Sequence, residues 1–176
     1  MQFTPLAPSK ALRRPKNFRG AVDVCNVAFR REAPPWAHFR HPKGARARGV
    51  VYEKKMQALF TSLYPVEYVA SPWFSFNEGT APRPRWCQMD GLLFLPYDRR
   101  LVLVEYKLQH TARAYWQTRD LYLPVLRCAF PPSLWEIACT EVCHWYDPSI
   151  PFPERPYLCP DITLSRIGSF NVHICP

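Results

Sequence analysis

No stretch of this sequence approaches the roughly 18 to 20 apolar residues of a membrane-spanning helix, and no membrane partner is expected. The first residues lack the apolar core of a secretory signal. Closely paired cysteines are also missing, for the seven present are odd in number and irregularly spaced. A disulfide framework is therefore not expected, and a cytoplasmic, reducing setting with free thiols is. Acidic residues are scarce at one end only. Residues 1–50 hold eleven Lys/Arg against Asp23 and Glu32, a net of +9, whereas residues 51–176 hold twelve of each sign. A segment so poor in carboxylates suits a polyanion, nucleic acid first of all, with a merely solvated tail as the alternative.

What is present is enough to build one domain. In 176 residues, 48% are apolar and 15% aromatic, so a core can be filled. Most of the twenty prolines gather in the N-terminal arm, before Trp86 and after Phe130. They suggest a basic arm over 1–48, a core over 49–147 and a Pro-rich extension over 148–176 that packs on the core. In the arm, Phe18, Phe29, Trp36 and Phe39 interleave Arg13, Arg14, Lys16, Arg19, Arg40, Lys43, Arg46 and Arg48, the candidate nucleic-acid contacts. A short helix or strand is expected around Ala21 to Arg31.

From Gly49 the spacing of Val50, Val51, Met56, Leu59, Phe60 and Leu63 predicts a helix ending before Tyr64-Pro65. Val66 to Asn77 reads as a strand, and Ala81-Pro-Arg-Pro-Arg85 as an irregular connection whose Arg83 and Arg85 are further phosphate contacts. Thr111 is the expected cap of a helix from Ala112 to about Cys128. Its apolar face is Ala114, Tyr115, Leu121, Tyr122, Val125 and Leu126, its Arg113 a candidate contact, and Pro124 should kink or divide it. Ile137 to Tyr146 suits a buried strand reached by a crossover, and Ser169 to Cys175 a late strand.

Between these lies the stretch from Trp86 to Lys107. Apolar arms Met89–Leu95 and Leu101–Val104 flank a polar turn at Pro96 to Arg100, the pattern of a β-hairpin. A turn centred on Tyr97/Asp98 sets Asp90 opposite Glu105; one centred a residue later sets it opposite Lys107. In either register Asp90, Glu105 and Lys107 share a face, because strand residues two apart do. Two carboxylates and an ammonium at the end of an apolar hairpin are costly unless a metal ion or a partner compensates them. A plain salt bridge at a sheet edge is the bland alternative.

The spacing Asp90-x14-Glu105-x-Lys107 resembles the PD-(D/E)xK, or restriction-endonuclease-like, nuclease superfamily, with Gln88-Met89 standing before the Asp. The order helix, three strands, helix, strand is similar to that family's αβββαβ core over roughly residues 49 to 147. The resemblance implies an α/β fold in which a mixed sheet is flanked by helices, and a metal-dependent nuclease acting most often on DNA. It implies Mg²⁺, or Mn²⁺, held by Asp90, Glu105, the Tyr106 carbonyl and, from the preceding helix, Glu53. Lys107 would orient water beside the phosphate, and Gln117 would contact DNA or the site, with Gln109 and His110 as rivals. Tyr122 stands five residues after Gln117, where some relatives place a Tyr four after. A homodimer cutting both strands is left open.

Cys139-x3-Cys143-His144, with Cys128 or Cys159, raises a zinc site, and Cys25, Cys139, Cys143 and Cys159 raise the iron–sulfur cluster of some relatives. Residues 139 and 143 on one strand would stand about 13 Å apart, too far for one metal, so buried free thiols are expected instead. Two other classes stay open: a non-catalytic nucleic-acid-binding module, and an inactive nuclease-fold subunit of an assembly.

Overall fold

The computed structural model describes residues 21–30, 32–37, 43–109 and 111–145, and the backbone of 156–158 and 170–174. Among these the fold is mixed α/β with two sheets. Strands β1 (Val24–Arg30), β3 (Trp73–Glu78) and β4 (Arg85–Gln88) form an antiparallel sheet in the order β1-β3-β4. Strands β2 (Tyr68–Ala70), β5 (Gly91–Leu95), β6 (Arg100–Gln109), β7 (Glu136–Trp145), β8 (Pro156–Leu158) and β9 (Phe170–Ile174) form the larger sheet, ordered β2-β5-β6-β7-β9-β8. β6 is antiparallel to β5 and parallel to β7, so the connection between β6 and β7 crosses over the sheet.

β6 organises the core because it buries both faces. Leu101 and Leu103 point to one side, with Phe74, Phe76 and Cys87 of the small sheet and Tyr122, Val125 and Leu126 of the crossover helices. Val102, Val104 and Tyr106 point to the other, against Tyr52, Met56 and Phe60 of helix α1 (Ala45–Leu63). Spacing of four puts those three α1 side chains on one stripe. The expected stripe is corrected in part, since Val51 and Leu63 are 68% and 50% exposed and Tyr52 takes the inner position.

The segment expected as one strand, Val66 to Asn77, is two strands in two sheets. Pairing of Tyr68 with Leu93 and of Trp73 with Gln88 keeps one register throughout, so β2–β3 and β4–β5 are the arms of a single bent hairpin. The bend falls at Ser71-Pro72 on one arm, where Ser71 adopts φ 49°, and at Met89-Asp90 on the other. Proline cannot donate to the ladder, and a left-handed residue before it redirects the chain.

The crossover helix is divided, as its proline requires. Helix α2 (Ala112–Gln117) passes through a π-helical turn at Thr118–Tyr122 into α3 (Leu123–Ala129), with Pro124 in the first turn of α3. The widened turn spares the chain the clash of the ring with the carbonyl four residues back. Thr111 precedes α2 without making a side-chain cap bond. The basic segment contributes β1, tied in by pairing with β3, by Val22, Val24 and Val27 packed on the core, and by Val22 N–H donating to the Asp120 carbonyl at 2.9 Å. Beyond the core, β9 covers most of the expected late strand, and β8 joins it though no pattern announced it.

Candidate functional site

The hairpin β5–β6 turns through Pro96–Arg99, centred on Tyr97/Asp98, and Gly91 pairs with Val104. The next pair in that register is Asp90 with Glu105, the first of the two arrangements the sequence allows. Asp90 sits where its strand bends away toward the small sheet. Beyond Val104, β6 therefore loses its partner on the β5 side, and the Tyr106 N–H donates instead to Asp90 Oδ2 at 2.9 Å. The bend thus converts a ladder position into a carboxylate held over the strand edge. A residue's N–H and C=O leave a strand on the same side, so the Tyr106 carbonyl faces this opening too.

Lys107 gathers the two acids. Its ammonium lies 3.6 Å from Asp90 Oδ2 and is ion-paired with Glu105 Oε1. Glu105 is 1% exposed, and its second oxygen, Oε2, is buried with no hydrogen-bond partner. Burial first, then the nearby Asp90 charge, pushes the Glu105 carboxyl up to about 8. Glu105 and Asp90 hold Lys107 charged, above its ordinary range, against the opposing effect of burial.

Glu53 approaches from α1, half-buried, its carboxyl pushed up to about 6 by desolvation and then by Asp90. Gln57, one turn on, ties this helix to the bend: its Nε2 donates to the Asp90 carbonyl at 2.9 Å and to Ser71 Oγ at 2.8 Å, with Glu53 Oε1 farther off at 3.3 Å. Gln117 donates to the Tyr122 hydroxyl, which donates to the Gln88 carbonyl at 2.8 Å, two residues before Asp90. Gln117 therefore supports the strand leading to the site. Tyr122 is its partner at the five-residue spacing that the π-helical turn produces.

Glu141 is the residue that sequence reasoning missed. It is fully buried on β7, opposite Glu105 in the parallel register and on the same face. Its charge adds to the upward push on Glu105. The signal was the interruption of an apolar strand by one Glu, legible only once β7 is known to lie beside β6.

The basic candidates are scattered. Lys43, Arg46, Arg48, Arg83 and Arg113 are exposed, while Arg85 is ion-paired with Glu78 and lies 5.7 Å over the Phe76 ring. Arg13, Arg14, Lys16, Arg19, Arg40 and His110 lie outside the described residues. Of the cysteines, Cys87, Cys139 and Cys143 are buried thiols that burial pushes up to about 12. Cys128 is exposed and Cys25 half-buried, correcting the expectation for those two, and Cys159 and Cys175 lie outside the described residues.

Fit to a divalent cation turns on Glu105. An orphaned carboxylate oxygen in a dry site is a position that a hard cation can fill, and Asp90 stands beside it. Among the described residues no group of three His, Cys, Asp or Glu is arranged as a metal cluster. A cation there would draw on Asp90, Glu105 and a backbone oxygen from the protein, with Glu53 outside that set. Mg²⁺ commonly takes so few protein ligands and keeps its waters. No family model, curated protein or solved structure matches the chain.

Proposed function

We propose that the chain is a metal-dependent nuclease hydrolysing phosphodiester bonds, in DNA by the usual preference of the family it resembles. The observation that carries this reading is the Asp90–Glu105–Lys107 constellation with the orphaned Glu105 Oε2 at its centre. The order α1, β2, β5, β6, α2–α3, β7 supports it, being the αβββαβ order with β3 and β4 of the small sheet inserted between its first two strands and β1 preceding the helix.

A divalent cation held by Asp90 and Glu105 supplies, when bound, a hydroxide at neutral pH and charge neutralisation at the phosphate. The Tyr106 N–H fixes Asp90, so its carboxylate is positioned before any substrate arrives. Lys107 sets an ammonium beside the position of the phosphate and orients the attacking water. Glu53, its carboxyl pushed up to about 6 by desolvation and then by Asp90, accepts a proton released at the site.

The test is incubation of the protein with plasmid, linear duplex, single-stranded and four-way-junction DNA, in Mg²⁺ or Mn²⁺ and in EDTA. Cleavage should require metal and fall by about 10²–10³-fold or more in Asp90→Asn and Glu105→Gln, both near-isosteric. Wild-type rates in both variants would locate the chemistry elsewhere. The pairing of Lys107 with both acids favours a second reading, a non-catalytic nucleic-acid-binding module with a structural ion cluster. Salt-sensitive binding without cleavage in any metal would establish that alternative.

A further inference from the structure

The small sheet turns one face to the core; on the opposite face Ser75 is buried and Trp73, Trp86 and Gln88 are half-buried, with Arg30 and Trp36 exposed beside them. Phe74, Phe76 and Cys87 point inward. Strand alternation therefore sends Trp73 and Ser75 of β3, and Trp86 and Gln88 of β4, outward, with Ser75 paired to Trp86 and Trp73 to Gln88. Arg30 of β1 lies on this outer face: its Nε donates to Ser75 Oγ at 3.0 Å and its guanidinium stands 5.7 Å over the Trp86 ring. Trp36 meets Trp86 edge to face at 5.7 Å and is 60% exposed. Three tryptophans on the outside of one small sheet are an unusual use of the residue that buries most apolar area. The six side chains named here include one cation and no anion.

We infer that this face is a stacking platform for single-stranded nucleic acid, leading the strand to Asp90. Trp86 and Gln88 alternate outward to the end of β4, and the chain reaches Asp90 two residues later at the bend, so Trp86 stands four residues along the chain from the site. Aromatic faces beside a guanidinium hold bases irrespective of sequence, and base faces are free only where the strand is unpaired. A protein partner would also cover tryptophans, but the +9 of the first 50 residues, from which Arg30 and Trp36 come, favours a polyanion. The direction of the strand rests on the nuclease reading; the binding does not.

The full chain in EDTA, which prevents cleavage, is titrated with a labelled oligothymidylate of about twelve nucleotides and with a duplex of equal length. The single strand should bind more tightly and quench tryptophan fluorescence. Trp36→Ala, a change at an exposed position, should weaken that binding by about 5- to 150-fold while leaving duplex binding and the thermal melt unchanged. Trp36→Phe should recover most of it. Unchanged single-strand affinity in Trp36→Ala, or an equal loss on duplex, would overturn the platform. Trp36-dependent binding in a protein that never cleaves would overturn the nuclease reading and leave the platform standing.

Discussion

At the scale of single residues, the site is defined by how little water reaches Glu105. Burial, then the Asp90 charge, pushes its carboxyl in the folded chain up to about 8 from an ordinary 4.5, so across that range the folded chain binds the proton more tightly than the unfolded chain does. This contribution to stability is full below about 4.5 and is lost as pH rises through about 8. The melting temperature in EDTA should accordingly fall between pH 5 and pH 8, and Glu105→Gln should flatten the decline. Binding a cation requires that proton to leave, so Mn²⁺ affinity, read by calorimetry, should climb over the same window. Gly91, beside Asp90, is fixed by a different constraint. A Cβ there would stand 2.7 Å from Tyr68 Cε2 and 2.8 Å from Cζ, with the hydroxyl closer still. That ring cannot swing away freely, because its hydroxyl bonds the Tyr106 hydroxyl at 2.9 Å in the core. Gly91→Ala should cost about 1–3 kcal/mol in denaturant unfolding and lower cleavage with it. A variant as stable as the parent would show that the ring moves without penalty.

Among elements, the decisive relation is between α1 and the bent hairpin. Burial of Tyr52, Met56 and Phe60 seats the helix on β6, but rotation about that contact would still misplace Glu53. Gln57 removes the ambiguity by grasping both sides of the bend, at Ser71 and Asp90. Gln57→Ala should destabilise the fold by about 1–2 kcal/mol, since its bonds to Ser71 Oγ and the Asp90 carbonyl are lost while the Ser71 N–H still donates to that carbonyl. Cleavage at saturating metal should fall further than this loss of stability explains, since the Asp90 backbone is no longer clamped to α1. Equal activity in the variant would mean that Tyr106 N–H alone positions Asp90. From sequence, Gln57 reads as one polar residue among several between the apolar positions of α1. Its importance follows from Ser71 and Asp90 meeting across the bend, which no local pattern encodes.

For the whole molecule, the basic segment divides in two. Val22 to Arg30 is part of the fold, pairing with β3 and packing on the core. Removing residues 1–48 should therefore unfold the small sheet, visible as a lost cooperative melt. Removing residues 1–20 takes Lys10, Arg13, Arg14, Lys16 and Arg19 and leaves β1 in place. If all five contact phosphate, the slope of log K against log salt on duplex DNA should flatten by roughly 4.5 units. An unchanged slope in the shorter truncation would mean that those residues do not touch nucleic acid.

Much of this protein was readable from its residues. The helix before Tyr64-Pro65, the apolar hairpin arms, the helix divided near Pro124 and the strand after it each follow from local periodicity or from the chemistry of proline. Local alternation alone also put Asp90, Glu105 and Lys107 on one face, because the side-chain period of a strand is two. What periodicity cannot carry is the relation between segments distant in the chain. The register of the hairpin stayed open by one residue until the turn at Pro96–Arg99 fixed it. Nothing in the sequence set Glu141 against Glu105; parallel pairing across the crossover between β6 and β7 brought them together. The left-handed Ser71 before Pro72 divided one apparent strand between two sheets and freed Asp90 from the ladder. Sequence thus supplied the chemistry of the side chains and their local faces. Tertiary structure alone decided which of them are dry, for burial is set by what packs on a residue from elsewhere in the chain, and burial gives Glu105 its charge state.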